Sequence, residues 1–117
     1  MGFEMSFIRR ATRWLSRRGK ALSHYRAGMA KAGKQNYVGA IDDYSTAIES
    51  VDTPPDVKAM AIYNRALAYS AIQEEDKAAD DLEAVLKMPE LPERVRTAAL
   101  RRQERTRRRT ESGDQGG

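Results

Sequence analysis

The sequence predicts an all-α fold built from helical hairpins, with extra helices at both ends. Three observations lead to this prediction: apolar residues recur every three or four positions, four prolines separate the helical stretches, and one pattern recurs after 38 residues. No stretch shows the alternation and hairpin turns typical of strands. With 117 residues and no cysteine, the chain is expected to form one small domain without disulfides or thiolate metal sites.

The charge is unevenly distributed along the chain. Residues 1–34 carry a balance of +8, residues 35–93 a balance of −9, and residues 94–117 a balance of +5. Basic ends of this kind either bind phosphate or lipid, or fold back on the acidic middle. Both alternatives stay open at the level of the sequence.

The middle of the chain contains three predicted helices. From Tyr37 to Val51 the apolar residues follow one another in steps of three and four. A second series, from Val57 to Ile72, follows Thr53-Pro54-Pro55-Asp56, in which Thr53 is expected to cap the helix and Asp56 to complete a capping box. A third helix is predicted from Ala78 to Leu86.

Further helices are predicted at both ends. A basic amphipathic helix is expected over residues 1–19, ending at Gly19, and another from about Lys20 to Gly33. An Arg-rich helix is predicted over residues 90–109. These end helices are expected to cap the stack. Residues 110–117 offer nothing to a core and are expected to be disordered.

An internal repeat relates two parts of the chain. The segment from Ala40 to Ile48 aligns with the segment from Ala78 to Leu86, keeping a small residue, two aspartates, a large apolar residue and the closing aliphatics. The preceding helices also match, residues 25–30 against residues 63–68. The sequence therefore predicts two helix-turn-helix units, at about 20–53 and 56–89.

These units resemble the tetratricopeptide repeat (TPR) family. The matching residues are Gly28, Ala40, Tyr44 and Ala47 in the first unit, and Ala66, Tyr69, Ala78 and Leu82 in the second. The chain departs from the family at His24 and Ile62, where an aromatic residue is usual. The resemblance covers residues 20–89 and implies a short α-solenoid of two TPR-like hairpins that binds proteins without a cofactor.

The resemblance also implies a binding groove on the concave face, formed by the first helix of each unit. The candidate groove residues are Leu22, Tyr25, Met29, Ala32, Met60, Tyr63, Asn64, Leu67 and Ala71. Most of them are apolar or aromatic, so a peptide or an amphipathic helix is the expected guest. Family members that hold acidic chaperone tails use Lys, Arg and Asn there, and only Asn64 agrees. A terminal helix of the chain itself is the alternative occupant.

Little in the sequence supports catalysis. His24 is the only histidine, and a base of this kind needs an oriented partner. The pairs Asp42-Asp43 and Asp80-Asp81 are interpreted as solvated helix faces, because adjacent residues diverge on a helix and no metal-ligand spacing accompanies them. The protein is therefore not expected to be an enzyme or to hold a metal ion.

The arginine-rich ends supply an alternative function, the binding of nucleic acid or of an anionic membrane. The candidate anion-binding residues are Arg9, Arg10, Arg13, Arg17, Arg18, Arg101, Arg102, Arg105, Arg107, Arg108 and Arg109. The first helix, with Trp14 and Leu15 opposite its arginines, fits a cap, a membrane-surface helix or a targeting segment. No aromatic residue lies between the later arginines to stack on bases. The expected partner is a protein or peptide in the cytoplasm, with a homo-oligomer as a further expectation.

Overall fold

Five α-helices joined by short turns make up the protein. The computed structural model describes the backbone of residues 2–116 and the side chains of residues 8–13 and 15–113. The helices are α1 (Gly2–Gly33), α2 (Tyr37–Glu49), α3 (Pro55–Ala71), α4 (Glu75–Leu86) and α5 (Glu93–Gly116). No strand occurs within the described residues, so the predicted all-α class is confirmed.

The helices pack in chain order and form two rows. Each helix packs against the next, and α3 also touches α1 and α5. Among the described residues no Cα atom of α2 lies within 8 Å of a Cα atom of α4. We call α1, α3 and α5 the inner row of helices, and α2 and α4 the outer row.

The two turns inside the hairpins are copies of one another. Gln35 and Gln73, which are 38 residues apart, both adopt the left-handed conformation with φ of 64°. In the first turn the Asn36 amide donates to the Lys31 carbonyl at 2.8 Å, and in the second the Glu74 amide donates to the Tyr69 carbonyl at 2.9 Å. The internal repeat seen in the sequence is thus present in the backbone.

The same spacing extends to α5. Pro54 and Pro92 stand 38 residues apart before α3 and α5, and each accepts a hydrogen bond from the amide four residues on, at 2.9 and 3.0 Å. One turn later, Val57 and Ala61 of α3 are buried, as are the equivalent residues of α5, Val95 and Ala99. The first turns of α5 therefore share the starting proline and the buried positions of α3.

Small residues allow the helices of a hairpin to approach closely. Tyr44 is 2% exposed and packs with Ala40 and Ala47. Its ring lies so close to α1 that a methyl group at Gly28 would stand 2.7 Å from Cδ1 and Cε1 of Tyr44. In the second unit Leu82 takes the equivalent place in a larger cluster. Gly28 is therefore required by packing.

One arginine joins three helices. Arg65 of α3 donates from Nε and Nη2 to both carboxylate oxygens of Asp81 in α4, at 2.8 and 2.7 Å. Its Nη1 donates to Oγ of Ser45 in α2 at 3.0 Å. Hydrogen bonds with Asp81 are the main reason why the pKa of Arg65 is raised, against the opposing effect of its burial. This network connects the first unit to the second.

Two predicted boundaries are wrong. The helix α1 continues through Gly19, because a single exposed glycine costs a helix only about 1 kcal/mol and neither a proline nor a capping residue follows it. The helix α5 continues to Gly116, past the tail predicted to be disordered from residue 110. Just before that tail, Arg109 reaches Glu75 of α4, with 3.7 Å between Nη2 and Oε1.

The described side chains of the first helix give no support to the predicted cap, while those of Phe7 and Trp14 lie outside the described residues. The described side chains of residues 8–20 are exposed, apart from Ala11 and Arg18, which are half-buried. The first buried residue of α1 is Ala21. We call residues 8–20 the N-terminal arm. At the other end Leu91, just before α5, and Val95 of α5 are buried in the core.

Thr53 does not cap α3 as predicted. The N-cap residue is Pro54, which makes no side-chain capping bond. Thr53 is buried, and its hydroxyl donates instead to the carbonyl of Ala47, near the end of α2. This bond closes the preceding helix.

Within the described residues, none of the helices combines the length and the apolarity needed to cross a membrane.

The contact at Gly28 predicts opposite effects for two substitutions in one helix. Gly28→Ala should lower the stability by about 1–3 kcal/mol, because the added methyl group would stand 2.7 Å from the Tyr44 ring and force the ring or the helices to shift. Gly19→Ala, whose methyl group would meet no atom within 4 Å, should raise it by up to about 1 kcal/mol through helix propensity. Thermal unfolding followed by circular dichroism measures both. A shift of both midpoints in the same direction would contradict the close approach of α1 and α2.

The Arg65 network predicts a strong energetic coupling. Asp81→Asn should destabilise the protein by about 1–3 kcal/mol, because it leaves a half-buried guanidinium without its counter-charge. The double variant Arg65→Met with Asp81→Leu should be more stable than the sum of the single changes predicts. Urea unfolding measures the cycle, and Glu83→Gln, from an exposed pair with Lys87, is the control that should change little. Additive effects would show that the pair does not couple the helices.

Candidate protein-binding groove

A groove runs along the inner row of helices. It consists of two adjoining depressions, which share Leu67 of α3 and Arg102 of α5. The first has a volume of about 300 Å³ and is also lined by Ala32, Tyr37, Tyr44, Asn64, Ala68 and Ala71. The second has a volume of about 250 Å³ and is also lined by Tyr63, Ala98, Arg101 and Arg105. Residues from four helices thus meet around Leu67.

The wall of the groove near α1 is fixed by two tyrosines and an amide. Asn64 donates from Nδ2 to the hydroxyl oxygen of Tyr25 at 3.1 Å, which joins α3 to α1. The ring of Tyr25 stands 6.0 Å from that of Tyr44, centre to centre, at a tilt of 43°. Burial, with a smaller effect of Tyr25, raises the pKa of Tyr44 to about 12. Both phenols are therefore neutral at physiological pH, and this wall carries no charge.

The opposite wall is strongly basic. Arg101, Arg102 and Arg105 line the groove from α5. Within the part of the chain that the structure describes, none of the three takes part in an ion pair or hydrogen bond. The groove therefore combines an apolar floor with three uncompensated positive charges along one edge.

The remaining arginines of α5 are occupied. Arg107 and Arg108 both bind Glu104, at 2.7 and 3.2 Å, and the hydrogen bond with Arg107 is the main reason why the pKa of Glu104 is lowered. Arg109 stands near Glu75, as described above. The predicted anion-binding set is thus divided between the arm, the groove and these internal pairs.

The structure brings only some of the predicted groove residues together. Tyr63, Asn64 and Leu67 line the depressions, and Tyr25 contributes through its contacts. Three predicted residues lie elsewhere: Leu22, Met29 and Met60 are absent from the lining of both depressions. Met29 is 49% exposed on α1, whereas the sulfur of Met60 accepts a hydrogen bond from Nη2 of Arg94 at 3.4 Å.

Sequence reasoning assigned the arginines of α5 to a separate surface. A second application of the 38-residue offset would have placed them correctly, because Arg101, Arg102 and Arg105 are the equivalents of Tyr63, Asn64 and Leu67. The pairs Pro54 and Pro92, and Val57 and Val95, indicate this alignment of α5 with α3. Tyr37 and Ala98 also line the groove, although the sequence did not predict them as groove residues. Tyr37 is the first residue of α2, and Ala98 lies on α5, outside the two aligned units.

Only one aspartate of each predicted pair lies on a solvated helix face. Asp42 and Asp80 are exposed, but the second aspartate of each pair faces the preceding helix. Asp43 lies 2.8 Å from Nζ of Lys31, and Asp81 binds Arg65. The predicted solvation is therefore wrong for the second residue of each pair, which links the two helices of a hairpin.

His24 and the aspartate pairs were the residues considered for catalysis or metal binding. Nδ1 of His24 is 3.9 Å from Oδ1 of Asp43, which is too long for a hydrogen bond. Among the described side chains, no group of three or more potential ligands could hold a metal ion.

Comparison with protein-family models, with curated proteins and with solved structures finds no match to this chain. The function must therefore be inferred from the groove and its chemistry.

Proposed function

We propose that the protein is a non-enzymatic interaction module that binds a peptide or an amphipathic helix in the groove between α1, α3 and α5. One observation carries the proposal: a mainly apolar depression at Leu67 adjoins a second depression that is lined by three arginines without partners among the described residues. A ligand that places an apolar side chain on the floor and carboxylates along the edge would satisfy both features.

The proposed architecture is a short solenoid of the TPR type, with two hairpins and the first helix of a third. The identical turns at Gln35 and Gln73 and the inner row of α1, α3 and α5 support it. In this architecture the first helices line a concave surface. That surface is the natural place for an extended or helical guest, because it exposes side chains from three successive helices.

The basic edge defines the chemistry of the proposed guest more closely than the sequence did. Arg102 lies where both depressions meet, so a carboxylate bound there would stand next to an apolar side chain on Leu67. Arginine can hold a carboxylate through two parallel hydrogen bonds, which also fixes its orientation. We therefore propose an amphipathic segment that carries both large apolar and acidic residues, in a cytoplasmic partner protein.

A selection from a display library of random peptides, performed on the full chain, tests this proposal. We expect the enriched peptides to combine a large apolar residue with Asp or Glu. Leu67→Ala and Arg102→Gln should each lower the affinity for the best peptide by at least about fivefold, as is usual when an anchor residue is truncated. Arg107→Gln removes a positive charge from the same helix outside the groove and is the matched control that should change little.

Two results would contradict the proposal. One is a library that yields no enriched peptide. The other is an enriched peptide that binds the Leu67 and Arg102 variants as tightly as the unmodified chain, with circular dichroism showing that these variants are folded.

Nucleic acid is the second candidate ligand, favoured by the absence of partners for Arg101, Arg102 and Arg105. The groove gives these arginines no base-reading surface of a known kind, so we expect weak binding that ignores sequence. Titration of labelled RNA and DNA at several salt concentrations should give dissociation constants of about 1 μM or weaker near 0.15 M salt. Tight, sequence-dependent binding at that salt concentration would replace the peptide with nucleic acid as the ligand.

A further inference from the structure

Most described side chains of the N-terminal arm, residues 8–20, are exposed to solvent. The arm belongs to the 32-residue helix α1, which first enters the core at Ala21. The residues from Gly2 to Lys20 extend roughly 28 Å beyond that point at 1.5 Å per residue. An isolated helix of this length is marginal in water, so contact with another surface would stabilise it.

The two sides of the arm differ sharply in chemistry. Ile8 and Leu15 are seven residues apart, hence on one side of the helix, and each is 59% exposed. Arg9, Arg13 and Arg17 lie about 110–170° around the helix from that apolar stripe at 100° per residue. In the sequence, Phe7 and Trp14 directly precede the two residues of the stripe. The arm is therefore amphipathic from Ile8 to Leu15, and basic residues continue to Lys20.

The charge of the arm is uniform and largely uncompensated. Residues 8–20 contain six basic residues and no acidic one. Among the residues that the structure describes, Arg9, Arg10, Arg13 and Arg17 make no ion pair or hydrogen bond. An apolar stripe, a basic opposite face and a nearby tryptophan are the features of helices that lie in the interface of an anionic membrane.

We propose that the N-terminal arm lies flat on a bilayer that contains anionic phospholipid. Ile8 and Leu15 enter the boundary between headgroups and acyl chains, and the arginines reach the lipid phosphates along the sides of the helix. The folded body then stands beside the membrane with its groove free. This inference is independent of the peptide ligand proposed above.

A second copy of the chain fits the arm less well. The groove of another copy presents Arg101, Arg102 and Arg105, which repel a basic helix. The acidic helix α4 offers the right charge, but none of the exposed large hydrophobic residues lies on it. Neither surface of a second copy would therefore neutralise the arginines of the arm and also cover its apolar stripe. Nucleic acid would likewise satisfy the arginines and leave Ile8 and Leu15 in water.

Co-sedimentation of the full chain with vesicles tests the proposal. The vesicles consist of phosphatidylcholine with or without phosphatidylglycerol, and the salt concentration is about 0.15 M. We expect binding to the anionic vesicles to be at least about tenfold stronger than to the neutral ones and to weaken as salt rises. A change in the fluorescence of Trp14, the only tryptophan, gives an independent measure.

Matched variants separate the arm from the rest of the protein. Ile8→Ser with Leu15→Ser should weaken vesicle binding by about tenfold or more, because it removes the stripe and leaves every arginine in place. Val38→Ser with Val51→Ser removes two exposed apolar residues from the folded body and should leave binding unchanged. Leu67→Ala should also leave it unchanged, so a failure of the peptide proposal remains distinguishable from a failure of this one.

Three outcomes would overturn the proposal. The first is equal binding to neutral and anionic vesicles, and the second is full binding by the variant at Ile8 and Leu15. The third is a dimer in sedimentation velocity that this variant converts to monomer while vesicles bind neither form, which would make a second copy the occupant of the arm.

Discussion

The guanidinium of Arg65 is the group on which the arrangement of the two units depends. It holds both carboxylate oxygens of Asp81 and the hydroxyl of Ser45, and so connects α2, α3 and α4 at one point. Its planar set of donors can serve two helices at once, which a lysine ammonium cannot do in the same geometry. Because Asn64 and Leu67 lie on the same helix as Arg65, fixing α3 against α2 and α4 also fixes the helix that carries the floor of the groove.

The segregation of charge in the sequence has two different structural outcomes. Part of the acidic middle is used internally, since Asp43 and Asp81 join the helices of their hairpins. The basic ends are mostly not folded back on it, because Arg109 is the arginine of α5 that reaches an acidic residue of α4. Positive charge therefore remains available on two separate surfaces, the arm and the edge of the groove.

Much of the fold follows from local patterns, and the failures have physical causes. Periodicity, proline and the 38-residue offset predicted the helices from Tyr37 to Leu86 with nearly correct limits, because each signal acts within one or two turns. The break at Gly19 was wrong because glycine weakens a helix without ending it. For the site, Tyr63, Asn64 and Leu67 follow from the repeat. The basic edge was missed because the offset was applied to two units only; a second application places Arg101, Arg102 and Arg105 at the positions of Tyr63, Asn64 and Leu67.

Stacked hairpins are open-ended by construction, and an uncovered last helix invites another copy to add to it and form a fibre. The outer side of α5 opposes such growth. Where α3 presents Ala59, Ile62 and Ala66 to α4, the equivalent residues of α5 are Thr97, Leu100 and Glu104. Glu104 is engaged by Arg107 and Arg108, so a helix added here would have to remove a charged cluster from water. This side of α5 therefore places a charged cluster beside the exposed Leu100, and the cluster opposes the addition of another copy.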